Sequence, residues 1–223
     1  MERRYLAAAP ALIARPDGPS RATVLWYHGL GVDKETHAAE LERFARAGFI
    51  AIGLDAAGHG ERRLPNFEER FAPPRAVIEP LLFQLIEETV AELPSVFDEL
   101  PRSGLDSDGR IAVAGVSFGA FITYRAVIRE PRLRAAVALL GEPPESIEGL
   151  WPTALLSITA GNDTNVPPQK ASVFHERLEP RYATAPERLR YVELPDEQHL
   201  VSAVAWERAM RETVGWVLRF AGG

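Results

Sequence analysis

The stretch Arg110-Ile-Ala-Val-Ala-Gly-Val-Ser-Phe-Gly-Ala-Phe121 constrains this chain more than any other. Ile111 to Val116 is a β-branched apolar run that follows the turn-rich Asp106-Ser-Asp-Gly109, and it reads as a buried strand. A helical pattern follows from Phe118 to Ile128 and stops at Pro131. Gly115-x-Ser117-x-Gly119 sits at the junction. A sharp strand-to-helix turn there lifts Ser117 above the sheet in a strained conformation, and the glycines leave room for neighbouring backbone. The helix N-terminus then points N–H groups and partial positive charge at whatever Ser117 attacks. A tight turn without chemistry would use similar small residues, so the flanking strand and helix carry the reading.

The remainder of the chain alternates in the same way. Residues 11–15 and 22–28 are apolar runs joined by Pro16-Asp-Gly-Pro19, the second ending at His28-Gly-Leu-Gly31. Asp33 can cap a helix with Ala38, Leu41, Phe44 and Ala45 on one face. Phe49 to Leu54 is a strand ending at Asp55, and Glu61 to Pro74 is a surface excursion without period. Val77 to Leu100 is helical, with Pro94 expected to kink or split it. Strands are expected at Leu133–Leu140, Ala154–Thr159 and Leu189–Leu194. Helices are expected from Pro167 to Leu178 and from Leu200 to Phe220. This order predicts an α/β protein, one domain over residues 1–223, with a doubly wound, mostly parallel sheet flanked by helices. In such a sheet the loops after the strands gather at one edge, where ligands bind. His28, Asp55, Ser117, Gly141, Asp163 and His199 all fall in those loops.

A net charge of −6 and the lack of any basic run argue against a nucleic-acid partner. With no cysteine, thiol nucleophiles, disulfides and thiolate metal sites are excluded. No apolar run suits a membrane span or a secretory signal, so a cytoplasmic protein is expected. The oligomeric state is left open.

A serine hydroxyl needs a base, and the base needs an orienting carboxylate. Of the histidines after Ser117, His175 lies mid-helix and reads as a packed or solvated side chain. His199 follows the last strand in Pro195-Asp-Glu-Gln-His199 and is the candidate base. Asp163 heads the preceding strand's loop and is the candidate acid, although a turn or capping role would also suit it. Asp196 is its rival, three residues from His199.

The order Ser117, Asp163, His199 is the one expected after such a serine turn. With Tyr27-His-Gly-Leu-Gly31, Asp55-Ala-Ala-Gly-His-Gly60, Asp108 to Gly119 and Val166-Pro167, the chain resembles the α/β-hydrolase superfamily from about Thr23 to Phe220. It looks most similar to compact esterases of the dienelactone hydrolase and prolyl oligopeptidase-like branch. The resemblance implies an oxyanion hole from the backbone N–H groups of Phe118 and Leu30. It also implies a loop-bracing role for His28, while His59 reads as a turn histidine. A metal held by that pair is disfavoured because no carboxylate ligands stand at suitable spacing. Two departures stand out: dienelactone hydrolases use a cysteine nucleophile, and Gly161 lies one residue closer to the acid than is usual.

The expected function is hydrolysis of small or short-acyl carboxylic esters through an acyl-enzyme, with no cofactor or metal. Peptidase or thioesterase activity would use the same groups. A non-hydrolytic ligand-binding, lyase or perhydrolase member of the fold is the alternative from another class. The connector Glu142–Pro152 is too short for a helical lid, so an open, small slot is expected. Trp151, Leu30 and the excursion would wall it, with Arg62 or Arg63 available to an acidic group.

Overall fold

The structure is a computed structural model and describes residues 1–223. The strands are β1 (Glu2–Leu6), β2 (Ala9–Ala14), β3 (Thr23–Tyr27), β4 (Ile50–Leu54), β5 (Ile111–Val116), β6 (Leu133–Leu139), β7 (Ala154–Ala160) and β8 (Leu189–Leu194). They form one sheet in the order β1-β2-β4-β3-β5-β6-β7-β8. Pairs from β4 to β8 are parallel, while β1 and β2 run antiparallel at one edge.

The helices are α1 (Ala38–Arg46), α2 (Phe67–Phe71), α3 (Arg75–Arg102), α4 (Phe118–Arg129), α5 (Gln169–Leu178) and α6 (Ala203–Phe220). Strand residues alternate between the sheet's two faces, so each central strand serves two cores. Leu25 and Tyr27 of β3 join α3, α4 and α5 on one side, and Val24 and Trp26 join α1 and α6 on the other. The α6 stripe Ala205, Ala209, Met210, Thr213, Trp216 and Val217 is buried, as its spacing requires.

Three details differ from expectation. Strand β1 was not legible, because Glu2, Arg3 and Arg4 mask its pattern; it exists through its ladder with β2. Of the kink or split expected at Pro94, the split does not occur: α3 runs as one helix with Pro80, Pro94 and Pro101 inside it. Its buried face from Leu82 to Leu100 holds the helix together where proline removes a backbone donor. The excursion after Glu61 contains α2, whose Phe67 is buried with its ring 5.0 Å from that of His59.

Candidate active site

Ser117 sits between β5 and α4 with φ +52° and ψ −114°, a strained conformation for a residue with a side chain. Its N–H donates to Leu139 O (2.8 Å), tying the turn to β6. A Cβ on Gly115 would collide with Gly119 O, and one on Gly119 with Tyr27 O. Those two approaches explain why glycine stands on either side of the serine.

Ser117 Oγ lies 2.8 Å from His199 Nε2, and His199 Nδ1 lies 2.6 Å from Asp163 Oδ2. An acceptor carboxylate at Nδ1 puts the proton there, which leaves Nε2 to accept the serine hydroxyl. The Asp163 side chain is 1% exposed and that of His199 18%. Asp163 Oδ1 accepts the N–H groups of Asn165 and Val166, both at 2.8 Å. The loops are also joined by backbone, through Gly161 N–H to Leu194 O and Asn162 N–H to Glu197 O. Past His199, Ser202 caps α6 through the Ala205 N–H and is itself held by Glu197. Asp196, the rival acid, is exposed on the turn with φ +66°.

Phe118 is the first residue of α4, where the backbone N–H has no intrahelical acceptor. Leu30 N–H donates to no backbone carbonyl, and a side chain built on Gly29 would stand 4.0 Å from Ser117 Cβ. His28 braces this loop. Ala56 N–H donates to His28 Nε2 (3.1 Å), so Nδ1 carries the proton and donates to Gly29 O (2.8 Å). Burial lowers the His28 pKa to about 4 and keeps the ring neutral. His59 Nδ1 pairs with Ala57 O (2.9 Å), and burial lowers its pKa as well. His175 is buried with Nε2 2.7 Å from Ser157 Oγ, and burial lowers its pKa to about 4.

A cavity of about 610 Å³ opens at Ser117 and His199, with Leu30 and Phe118 in its lining. It is larger than the small slot expected. Its far wall comes from Arg75, Ile78 and Leu82 on α3, with Phe121 and Val166, and owes nothing to the excursion. Trp151, Arg62 and Arg63 do not line it, which corrects their assignment to substrate binding. Trp151 packs edge-on to Tyr182 with ring centres 5.2 Å apart. Arg62 is taken by both Glu92 oxygens (2.6 and 2.7 Å) and by Asp55 O. Arg63 bonds Gly31 O and Glu68 and lies over the Phe67 ring. Paired arginines of this kind hold loops together. The α3 wall escaped notice because Ile78 and Leu82 look like ordinary core positions; their i, i+4 spacing ahead of the deeply buried turns was the available signal.

A mostly parallel sheet, a strained serine between strand and helix, and an aspartate and a histidine on the loops after β7 and β8 define the class of α/β hydrolases. The chain belongs to the alpha/beta hydrolase family, whose sequence profile matches residues 24–221. It is 27% identical over 195 residues to "Putative esterase YitV" of Bacillus subtilis (strain 168), covering 85% of this chain and 73% of that protein. It is 26% identical over 144 residues to Esterase YjfP of Escherichia coli (strain K12), covering 63% of this chain and spanning only 55% of that relative. Among solved structures, TT1662 from Thermus thermophilus superimposes with a TM-score of 0.76 at 24% identity, covering 97% of each chain. That likeness is one of fold. Both relatives carry the name esterase, and family membership makes the chain an alpha/beta hydrolase. No helix is long and apolar enough to cross a membrane.

Proposed function

We propose that this protein hydrolyses carboxylic esters through a covalent acyl-serine intermediate. The observation that carries the reading is the unbroken chain Ser117 Oγ–His199 Nε2 (2.8 Å) and His199 Nδ1–Asp163 Oδ2 (2.6 Å). Ser117 Oγ attacks the acyl carbon as its proton passes to His199 Nε2. The carbonyl oxygen becomes an oxyanion that the Leu30 and Phe118 N–H groups receive. Collapse of the tetrahedral adduct expels the alcohol, which takes the proton back from His199. Water then enters by the same route and releases the acid, restoring Ser117. Asp163 keeps the imidazole in the required tautomer and balances the imidazolium charge. These steps require only groups of the chain, substrate and water.

The apolar α3 and α4 wall suits an acyl chain. Each methylene buried there contributes about 0.8 kcal/mol of binding, so the larger cavity extends the expected range from short acyl groups to those of medium length. A cytoplasmic site of action accords with this reading.

Two measurements test it. A fluorophosphonate probe should label the wild-type protein at Ser117, whereas a ligand-binding module would stay unlabelled. On p-nitrophenyl acetate, butyrate, hexanoate and palmitate, kcat/KM should peak at butyrate or hexanoate. A peak at palmitate would overturn the acyl assignment, and no turnover of any ester would overturn the function.

A further inference from the structure

His37 takes no part in the steps above, yet it lines the same cavity as Ser117 and His199. It ends the single 3-10 turn Lys34–His37 that Asp33 caps through the Thr36 N–H. Its side chain is only 12% exposed. Nδ1 stands 3.4 Å from Glu40 Oε2, and Glu40 Oε1 accepts Trp206 Nε1–H at 2.8 Å. The ring packs against Trp26 and Trp206, with centres 5.4 and 6.5 Å away. Two indoles and an anchored carboxylate therefore immobilise this imidazole. A carboxylate beside Nδ1 favours the proton there, leaving Nε2 as an acceptor with no protein donor bonded to it.

Its side of the cavity follows from the chemistry. His199 must return a proton to the departing alcohol, so the leaving group lies on the His199 side of Ser117. Leu200 lies next to His199 and lines the cavity, and Trp206, which touches His37, is on the helix that follows. The acyl wall of Ile78, Leu82 and Phe121 belongs to other elements. The same lining includes the apolar side chains of Val32 and Leu200, both open to solvent. A hydroxyl that gives up a water to lie against the apolar part of the lining needs a replacement acceptor. With His37 Nε2 in reach it regains a bond, while a methyl group in its place leaves the nitrogen unpaired.

We infer that His37 is a specificity-determining residue which accepts a hydrogen bond from a hydroxyl on the leaving alcohol, so that esters of diols and polyols are preferred over esters of simple alcohols. This rests on the serine-hydrolase reading. 3-Hydroxypropyl butyrate and butyl butyrate test it, because they differ only by hydroxyl against methyl. The wild-type protein should favour the hydroxylated ester in kcat/KM by about tenfold, the value of one hydrogen bond. H37F keeps an aromatic ring between the indoles and should bring the ratio towards one, with the loss falling on the hydroxylated ester. H37Q retains an acceptor and should keep most of the preference, which a purely structural histidine would not produce. H37L removes the acceptor with less bulk and gives the same readout if H37F does not fold. A wild-type ratio near one, or a ratio left intact by H37F or H37L, overturns the assignment of His37 while fluorophosphonate labelling at Ser117 stands. Failure of the wild-type protein to label overturns the serine-hydrolase reading, and this inference with it.

Discussion

Asp163 divides its two carboxylate oxygens between different tasks: Oδ2 lies 2.6 Å from His199 Nδ1, while Oδ1 is occupied by the N–H groups of Asn165 and Val166. A buried carboxylate with only one of these sets of partners would be costly or mobile. With both, its own turn orients the anion before it meets the histidine. The Asx-type turn and the pairing with His199, which compete as readings of the sequence, are thus both present in one side chain.

The consequence for activity is direct. S117A should abolish ester hydrolysis and leave the fold intact, because Ala is smaller and fits the same turn. H199A should be nearly as damaging. D163N should lower kcat by about 10⁴, since its amide favours the wrong histidine tautomer. Ester kinetics together with circular dichroism check all three, and substantial turnover by S117A would refute the nucleophile.

The serine turn should tolerate no side chain at Gly119. G119A drives a methyl group into Tyr27 O, and backbone rather than a flexible side chain must yield. Overpacking of this kind costs about 1–3 kcal/mol and shifts the nucleophile with it. Chemical denaturation and fluorophosphonate labelling should both register the change. A G119A protein with wild-type stability and labelling rate would contradict the close approach.

Stability should fall on mild acidification. Burial drives the pKa of His28 and of His175 down to about 4 in the folded protein, against about 6.5 in the unfolded chain. Between those values the unfolded state binds the extra protons, so stability rises with pH across the window. The contribution of these two histidines is complete above about pH 6.5 and lost as pH falls towards 4. Each histidine contributes a slope of up to about 1.4 kcal/mol per pH unit. Urea denaturation between pH 7 and pH 5 should show this slope, reduced in H175Q. An H175Q slope equal to that of the wild type would rule out its share.

Lys34 should matter more than its surface-type chemistry suggests. It is buried, with Nζ 2.8 Å from Asp55 and 2.7 Å from Glu61, and Asp55 is fully buried. Burial opposes the Lys34 charge, but Asp55, Glu61 and Glu35 outweigh it and raise its pKa. K34M leaves Asp55 without its counter-ion and should cost about 3–5 kcal/mol. Since Asp55 Oδ1 also accepts the Lys34 N–H, the loop carrying Leu30 is anchored here, and kcat should drop as well. Adding D55N should recover part of the stability; an uncoupled double-mutant cycle would argue against the pair.

The sequence by itself determined whatever depends on neighbours along the chain. The alternation of β-branched runs with helical spacing foretold the layered sheet, and Leu189–Leu194 was bounded correctly from its pattern alone. Ser117, Asp163 and His199 were legible because each follows a strand, and parallel strands carry their following loops to one edge. Tertiary structure alone decided what depends on contacts between distant segments. Charged β1 became a strand by pairing with β2. Glu92 captured Arg62 from 30 residues away and withdrew it from the cavity, and Tyr182 gave Trp151 its packing partner. The cavity wall passed to α3, and His37 met Trp206 from the far end of the chain. Local periodicity reports which face of an element is apolar. Long side chains can reach several partners, and the one each takes is settled only when the packed sheet brings remote charges and rings together.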